Sequence, residues 1–280
     1  MKEKSINLNG RLLSLKSPVV MGILNATPDS FYAGSRQATE AAIAQRIETI
    51  LTEGGTIVDI GGYSSRPDAA EVTEADEWQR IEPALKRMQK DYPDVPVSVD
   101  TFRTAIARRA VEEYGVAMIN DISGGMLDAQ MFETVASLQV PYILMHMRGT
   151  PQTMQQHTDY DDLMEEIMLY FAQKVRTLRQ LGVNDVILDP GFGFAKTLGQ
   201  NYELMRSLTE FSLHFETPLL VGISRKSMIY KLLNTTPENS LNGTTVLNTY
   251  ALLNGADILR VHDVKAAAEA IEIVKQLTLS

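Results

Sequence analysis

Short apolar, β-branched runs recur along the chain, and each ends in something polar. VVMGI (Val19–Ile23), TIVDI (Thr56–Ile60), VPVSV (Val95–Val99), AMI (Ala117–Ile119), YILM (Tyr142–Met145), VIL (Val186–Leu188), LLVGI (Leu219–Ile223) and DILRV (Asp257–Val261) make eight such runs. Runs of this kind read as buried strands. Between them lie segments of helical composition. ATEAAIAQRIETILTEGG ends at the Gly54-Gly55 pair, a stop signal, and DLMEEIMLYFAQKVRTLRQLG carries apolar residues at three- and four-residue spacing. Strands that alternate with helices pair in parallel. Eight such units in 280 residues predict an α/β fold, a single (β/α)8 TIM barrel. Ahead of it, INLNGRLLSL alternates around Asn9-Gly10, the signature of a β-hairpin. The expected organisation is a hairpin segment over residues 1–18 and a barrel over 19–280, with no low-complexity tract or linker to mark a further domain.

The polar punctuation narrows the function. Just past the strands stand Asn25, the Gly61–Arg66 loop, Asp100, Asn120-Asp121, His146, Asp189, Ser224 to Lys226, and Arg260 to His262. In a TIM barrel the C-terminal strand ends converge on one face, where the active site is built. Taken singly, an Asp or Asn after a strand is more often a turn or a helix cap than a ligand. Convergence of all of them on one face predicts a pocket. The net charge of -9 argues against a broad nucleic-acid surface, so an anion site must be a local cluster of positive groups. Without cysteine there is no disulfide framework, no thiolate chemistry and no Cys-based zinc site. His146, His157, His214 and His262 are the only histidines, and no HExxH occurs, which disfavours a His-based metallohydrolase. MKEKSINLNG lacks the apolar core of a signal peptide, and no run approaches the roughly 20 apolar residues of a membrane span. The expected setting is the cytoplasm, with neither membrane nor nucleic acid as partner.

Asp100, Asn120 and Asp189 suit a flat heterocycle rich in donors and acceptors. A carboxylate accepts two N–H bonds from an aminopyrimidine edge, and an Asn offers both donor and acceptor. In LDPGFGFAKT, Asp189 precedes a Pro-Gly-x-Gly turn whose glycines let backbone approach a ligand. Phe192 and Phe194 either line the pocket or pack on a neighbouring helix. Lys226 in VGISRKSMI follows a buried strand between Ser224 and Ser227, while Arg225 reads as a surface or interface salt bridge. Arg260 and His262 lie two apart at a strand end and so face one side. With Arg66 from GGYSSRPDAA they fit phosphate or diphosphate. Asn25 in GILNATPDSF either forms a turn or offers a carbonyl oxygen to a hard cation. Mg²⁺ held there would need substrate oxygens and water to complete its shell.

Taken in order, MGILNATPDSF, DIGGYSSRPDA, SVDTF, INDISGG, LMHMRGTPQTMQ, ILDPGFGFAKT, VGISRKSMI and LRVHDV resemble the dihydropteroate synthases of the folate pathway, over nearly the whole chain. The resemblance implies a TIM barrel, usually a homodimer, that joins (7,8-dihydropterin-6-yl)methyl diphosphate to 4-aminobenzoate and releases diphosphate. Sulfonamides compete with the aminobenzoate in that family. It further implies that Asp100, Asn120 and Asp189 bind the pterin, with Lys226 against it and Met145 and Phe194 lining its faces. Asn25 would carry Mg²⁺ with the diphosphate, and Arg260, His262, Ser65 and Arg66 would hold the diphosphate. Phe31, Pro67 and Ser227 match the walls of the aminobenzoate pocket. Asp100, Lys226, Arg260, His262 and Arg66 are thus the expected catalytic set. An arylamine is a weak nucleophile, so assistance must come at the leaving group, and Asp100 would favour positive charge left on the pterin methylene. This predicts a dissociative displacement with no covalent enzyme intermediate. The chain departs from the family pattern at Ala33, where an acidic residue is usual, at Tyr63 and Asp68 in the second loop, and at Ala195, where Gly is common. A pterin-binding methyltransferase barrel and a non-catalytic pterin-binding paralogue are the competing readings. The first has no need of the SRKS and RVH segments, and the second is expected to lose Arg260, His262 or Lys226, all of which are present.

Overall fold

A computed structural model describes residues 3–26, 36–65 and 71–278. Strands β1 (Ser5–Leu8) and β2 (Arg11–Ser14) form the N-terminal hairpin, antiparallel from Ser5↔Ser14 to Leu8↔Arg11. Its two-residue turn is Asn9-Gly10, with φ of 51° and 86°. Positive φ at both central positions is the turn geometry that matches strand twist, and Asn-Gly is the pair that tolerates it. The remaining strands are β3 (Val19–Asn25), β4 (Ile57–Gly61), β5 (Val97–Asp100), β6 (Met118–Asp121), β7 (Tyr142–Met145), β8 (Val186–Asp189), β9 (Leu220–Val221) and β10 (Ile258–Val261). They form one eight-stranded parallel sheet in the order β8-β7-β6-β5-β4-β3-β10-β9. A parallel bridge between Leu188 and Leu219 brings the last strand to the first and nearly closes the barrel.

Helices α1 (Arg36–Thr52), α2 (Glu74–Asp91), α3 (Thr104–Tyr114), α4 (Met131–Leu138), α5 (Leu163–Gln180), α6 (Leu198–Arg206), α7 (Leu208–His214), α8 (Ser227–Tyr230), α9 (Leu241–Leu253) and α10 (Val264–Thr278) lie between or after the strands. In α5 the buried residues are Leu163, Ile167, Phe171, Val175 and Leu178, one helical stripe, and the Asp162 side chain caps the first turn by accepting from the Glu165 amide. Among the described residues no helix is long and apolar enough to cross a membrane.

Alternation along each strand sorts the core into two regions. Val58, Ile60, Val99, Ile119, Leu144, Leu188, Val221 and Leu259 pack with the helices. Met21, Ile57, Met118, Ile143, Ile187, Leu220 and Ile258 form a separate cluster with Ile6, Leu8 and Leu15 of the hairpin segment. The hairpin therefore closes the N-terminal end of the barrel with apolar side chains, which leaves the C-terminal end for polar ones. Several strands run one or two residues beyond their apolar run and finish on the polar residue itself: Asn25, Asp100, Asp121 and Asp189. Strand β9 is shorter than its apolar run, at two residues.

Ile6 has no exposed surface. Ile6→Ala should lower stability by about 2–4 kcal/mol through lost transfer free energy and a residual cavity. Because the site lies at the other end, catalytic constants of the folded variant should stay at the parent value. Denaturant unfolding and steady-state kinetics on the same samples check both halves.

Candidate active site at the C-terminal end of the barrel

The centre of the site is Arg260 on β10. Its Nε donates to Asp59 Oδ2 at 2.6 Å and its Nη2 donates to Asp100 Oδ2 at 2.7 Å. Asp59 lies on β4, has no exposed surface, and its Oδ2 also accepts from Asn120 Nδ2 at 3.2 Å. One guanidinium thus links strands β10, β4 and β5, and the shared carboxylate brings in β6. Burial opposes the charge on Arg260, but Asp59 and Asp100 outweigh it and hold the pKa above the usual arginine value. Burial pushes the Asp100 carboxyl up to about 7; Arg260 pulls it down, and Asp59, Glu77 and Asp121 push it further up. With Nδ2 of Asn120 spent on Asp59, its Oδ1 is the atom left to accept from a ligand, an orientation fixed by the hydrogen bond.

The neighbouring aspartate on β6 does different work. Asp121 accepts from Ser123 N and Oγ, from Gly125 N and from the Tyr142 hydroxyl, so it shapes the loop after the strand and faces away from the site. On β8, Asp189 accepts from Gly191 N at 2.8 Å with Oδ1. A Cβ added at Gly222 would lie 3.8 Å from both Asp189 Oδ2 and Arg260 Cβ, so the glycine keeps this space open. Lys226 donates to the Phe192 carbonyl at 2.6 Å, and its ammonium sits 4.7 Å from the Phe194 ring centroid. Burial pushes the Lys226 pKa down to about 8, against the pull of Asp189. Phe192 proves to be core, with no exposed surface, whereas Phe194 joins Ile122, Met145, Met147 and Met154 in a small apolar cluster beside Phe102.

His262 follows β10 and meets Ser224. The hydroxyl accepts from the His262 amide at 3.1 Å and lies 3.1 Å from Nδ1. The Ser224 hydroxyl thus anchors the Nδ1 edge of the ring, and Nε2 is the ring nitrogen it does not engage. Burial, then Arg260 and Arg46, push the imidazole down to about 4, so it is neutral at pH 7 and only Arg260 of the pair carries charge. Arg46 on α1 fixes this corner from behind by donating to the Ile23 carbonyl at 3.0 Å and to the His262 carbonyl at 2.7 Å. Arg225, in the left-handed region at φ 56°, makes a two-pronged pair with Asp263 and also donates to the carbonyls of Pro237 and Glu238. It is an intramolecular tie that holds the β9–α8 loop to the residue after His262.

Two expectations need correction. Arg260 is not a free cation waiting for an anion, because two of its donors are committed to carboxylates. Asp100 and Asp189 do not each offer two unused oxygens, since Asp100 Oδ2 accepts from Arg260 and Asp189 Oδ1 from its own loop. Asn25 is exposed at the end of β3 and pairs in register with Gly61 on β4. Ser65 is half-buried after β4, and Ser227 begins α8. Tyr63 packs edge-on against Phe102, 5.0 Å between centroids, and its hydroxyl accepts from Gln152 at 2.8 Å. Arg66, Pro67 and Asp68 of the second loop, with Phe31 and Ala33 of the first, lie outside the described residues.

Residues 21–262 match the model of the pterin binding enzyme family. The dihydropteroate synthase of Escherichia coli K12 is 42% identical over 273 residues, which cover 97% of this chain and 95% of that one. A crystal structure of the Yersinia pestis dihydropteroate synthase in complex with a sulfonamide drug superposes with a TM-score of 0.90 at 41% identity, covering 98% of this chain and 99% of the other. The chain belongs to the dihydropteroate synthases. Another member of the family, from Xanthomonas albilineans and bound to 4-aminobenzoic acid, superposes with a TM-score of 0.91 at 34% identity over the whole of both chains.

For this dihydropteroate synthase, reading the sequence missed Asp59, Lys196 and Arg46. An aspartate inside the apolar run TIVDI was itself the signal for the first, because a buried carboxylate must find a partner. Lys196 is 3% exposed, donates to the Gly191 and Phe194 carbonyls and lies 3.0 Å from His146 Nδ1. It holds the loop that carries Phe194, and it places His146 behind that loop rather than in the site. Burial pushes Lys196 down to about 7 and holds His146 well below the usual histidine range.

Asp100 yields a pH prediction. Its folded pKa is raised, so its contribution to stability is most favourable below the unfolded value of roughly 3.9 and is lost as pH rises through about 7. An amide mimics the protonated acid and has no such loss. The melting temperature of Asp100→Asn minus that of the parent should therefore grow between pH 4 and 7 and level off above. Thermal scans across that range check it; a constant difference contradicts it.

Proposed function

We propose that the chain condenses (7,8-dihydropterin-6-yl)methyl diphosphate with 4-aminobenzoate to give 7,8-dihydropteroate and diphosphate, as its family membership supports. The observation that carries the reading is the sidedness of the site. Acceptors suited to the pterin edge, on Asp100, Asn120 and Asp189, share the C-terminal end of the barrel with the donors of Arg260 on β10 and His262 just after it, and Arg260 reaches Asp100 directly. In this reading the pterin lies against Lys226 and the apolar Met145 and Phe194, with the Lys226 ammonium seated on the Phe194 ring. Arg260 Nη1, engaged with neither carboxylate, and His262 Nε2–H donate to the diphosphate. As the C–O bond to diphosphate breaks, positive charge spreads from the methylene into the pterin. The Asp100 carboxylate offsets that charge, and Arg260 and His262 stabilise the leaving anion. The arylamine then attacks the methylene, and the proton of the resulting ammonium passes to solvent or to the released diphosphate, with no covalent enzyme intermediate. Ser65 and Arg66 complete the diphosphate side in this proposal, and Phe31, Pro67 and Ser227 the aminobenzoate side.

Mg²⁺ fits this donor set. Among the described residues no group of three or more His, Asp or Glu is disposed to hold a metal ion, and Asn25 offers one neutral oxygen at the strand end. Such a site holds Mg²⁺ only together with substrate phosphate oxygens. When bound, the ion would neutralise charge on the departing diphosphate. The proposal also includes a homodimer, with the cytoplasm as the expected setting. On α9, Val246, Tyr250 and Leu253 are 59%, 38% and 54% exposed, and Ile273 and Leu277 of the adjoining α10 are 61% and 69% exposed. Spacings of three and four put the α9 residues on one outer face, an apolar surface suited to a second copy.

Incubation of the protein with both substrates and Mg²⁺ should give dihydropteroate and one equivalent of diphosphate. Asp100→Asn, well folded, should lose useful turnover; near-parental activity would remove Asp100 from the mechanism, and a parent that forms no product would overturn the assignment. In sedimentation, the parent should run as a dimer and Val246→Glu with Leu253→Glu as a monomer. A monomeric parent would refute the dimer.

A further inference from the structure

We propose that Asp59 is a positioning residue of this site, a buried carboxylate that sets both the Arg260 guanidinium and the Asn120 amide in the orientation in which they meet the substrate. The inference rests on the reading of the site as a pterin diphosphate site. Asp59 Oδ2 accepts from Arg260 Nε at 2.6 Å and from Asn120 Nδ2 at 3.2 Å, so one oxygen fixes two groups on different strands. Those groups belong to different halves of the proposed ligand, Asn120 to the pterin and Arg260 to the diphosphate. The other oxygen, Oδ1, is buried without a hydrogen-bond partner among the described residues. A charged residue wholly buried with one oxygen unsatisfied is costly. An apolar residue of that size would fill the strand interior without the cost, so the polar group itself has a use.

Three consequences follow from the geometry. Without Asp59, the guanidinium would keep only its Nη2 contact to Asp100 and would pivot about it. The Asn120 amide would lose the bond that distinguishes its nitrogen from its oxygen, and the acceptor facing the pterin would be free to flip to a donor. Asp100 would also lose a nearby negative charge. The charged groups around Asp100 are Arg260 on β10, Asp59 on β4, Asp121 on β6, Glu77 on α2 and Lys226 before α8. Removal of Asp59 leaves the cations less opposed, so the Asp100 carboxylate should ionise at lower pH.

Asp59→Asn separates position from charge. Its Oδ1 can take the place of the Asp59 Oδ2 and accept from both Arg260 and Asn120, while its amide nitrogen occupies the unpartnered position. Asp59→Ala removes both. Calorimetry with the pterin alcohol, inorganic diphosphate and the pterin diphosphate reads binding directly. Rates with saturating 4-aminobenzoate across pH 5 to 9 read the rest. Asp59→Ala should weaken the pterin alcohol and the pterin diphosphate by about 10- to 100-fold, the scale of leaving buried hydrogen-bonding groups without their partner. Asp59→Asn should recover most of that loss, to within about 3- to 10-fold of the parent, the difference between a charge-assisted and a neutral hydrogen bond. In Asp59→Asn the acidic limb of kcat should move to lower pH, and the KM for 4-aminobenzoate should stay within about 2-fold of the parent. Parent-like binding in a folded Asp59→Ala, or an unmoved acidic limb in Asp59→Asn, would overturn the proposal. If Asp59→Ala fails to fold, the binding and pH profile of Asp59→Asn decide. A parent that binds the pterin alcohol but never turns over would fault the functional reading alone, and the binding ratios would still judge Asp59.

Discussion

A guanidinium held between two carboxylates organises the catalytic end of this barrel. Arg260 joins Asp59 and Asp100 across three strands of the sheet, and through Asp59 it reaches Asn120 on a fourth. In a low-dielectric interior, ions pair or change protonation state. Here both responses occur: Arg260 stays charged, and burial leaves Asp100 with a proton affinity near neutrality, opposed by Arg260 and reinforced by Asp59, Glu77 and Asp121. A site of Asp59, Asp100 and Asp189 facing Arg260 and Lys226 has an excess of negative charge suited to a ligand that becomes positive.

The rest of the architecture keeps those few atoms still. Strand alternation gives Asn120 to the site and the adjacent Asp121 to the loop behind it. Two lysines hold one loop, Lys226 through the Phe192 carbonyl and Lys196 through the Gly191 and Phe194 carbonyls. Arg46 and the Arg225–Asp263 pair fix His262, whose Nδ1 edge is held by Ser224. Four cationic side chains thus work as struts. The apolar hairpin plug at the far end frees the catalytic end from any share in closing the core.

Much of this could be read from the chain. The eight runs from Val19–Ile23 to Asp257–Val261 appear as the eight barrel strands, and the Asn9-Gly10 turn sits where its φ demands place it. Asn25, Asp100, Asn120, Asp189, Lys226, Arg260 and His262 stand at the predicted strand ends. Local patterning determines these features, since a parallel strand needs an apolar run and a strand end needs a polar stop.

What the sequence could not decide is which polar group faces which. Asp59 lies 201 residues from Arg260, and Asp100 lies 160 residues from it, so no local pattern joins them. The role of Arg225 as an internal tie, the neutrality of His262 and the placement of His146 behind a loop all depend on burial and on partners brought in from other strands. Residue types and their order determined the fold and the chemical class of the site. Closure of the barrel alone decided the pairing of charges, because a pKa and a hydrogen bond depend on distance in space rather than along the chain.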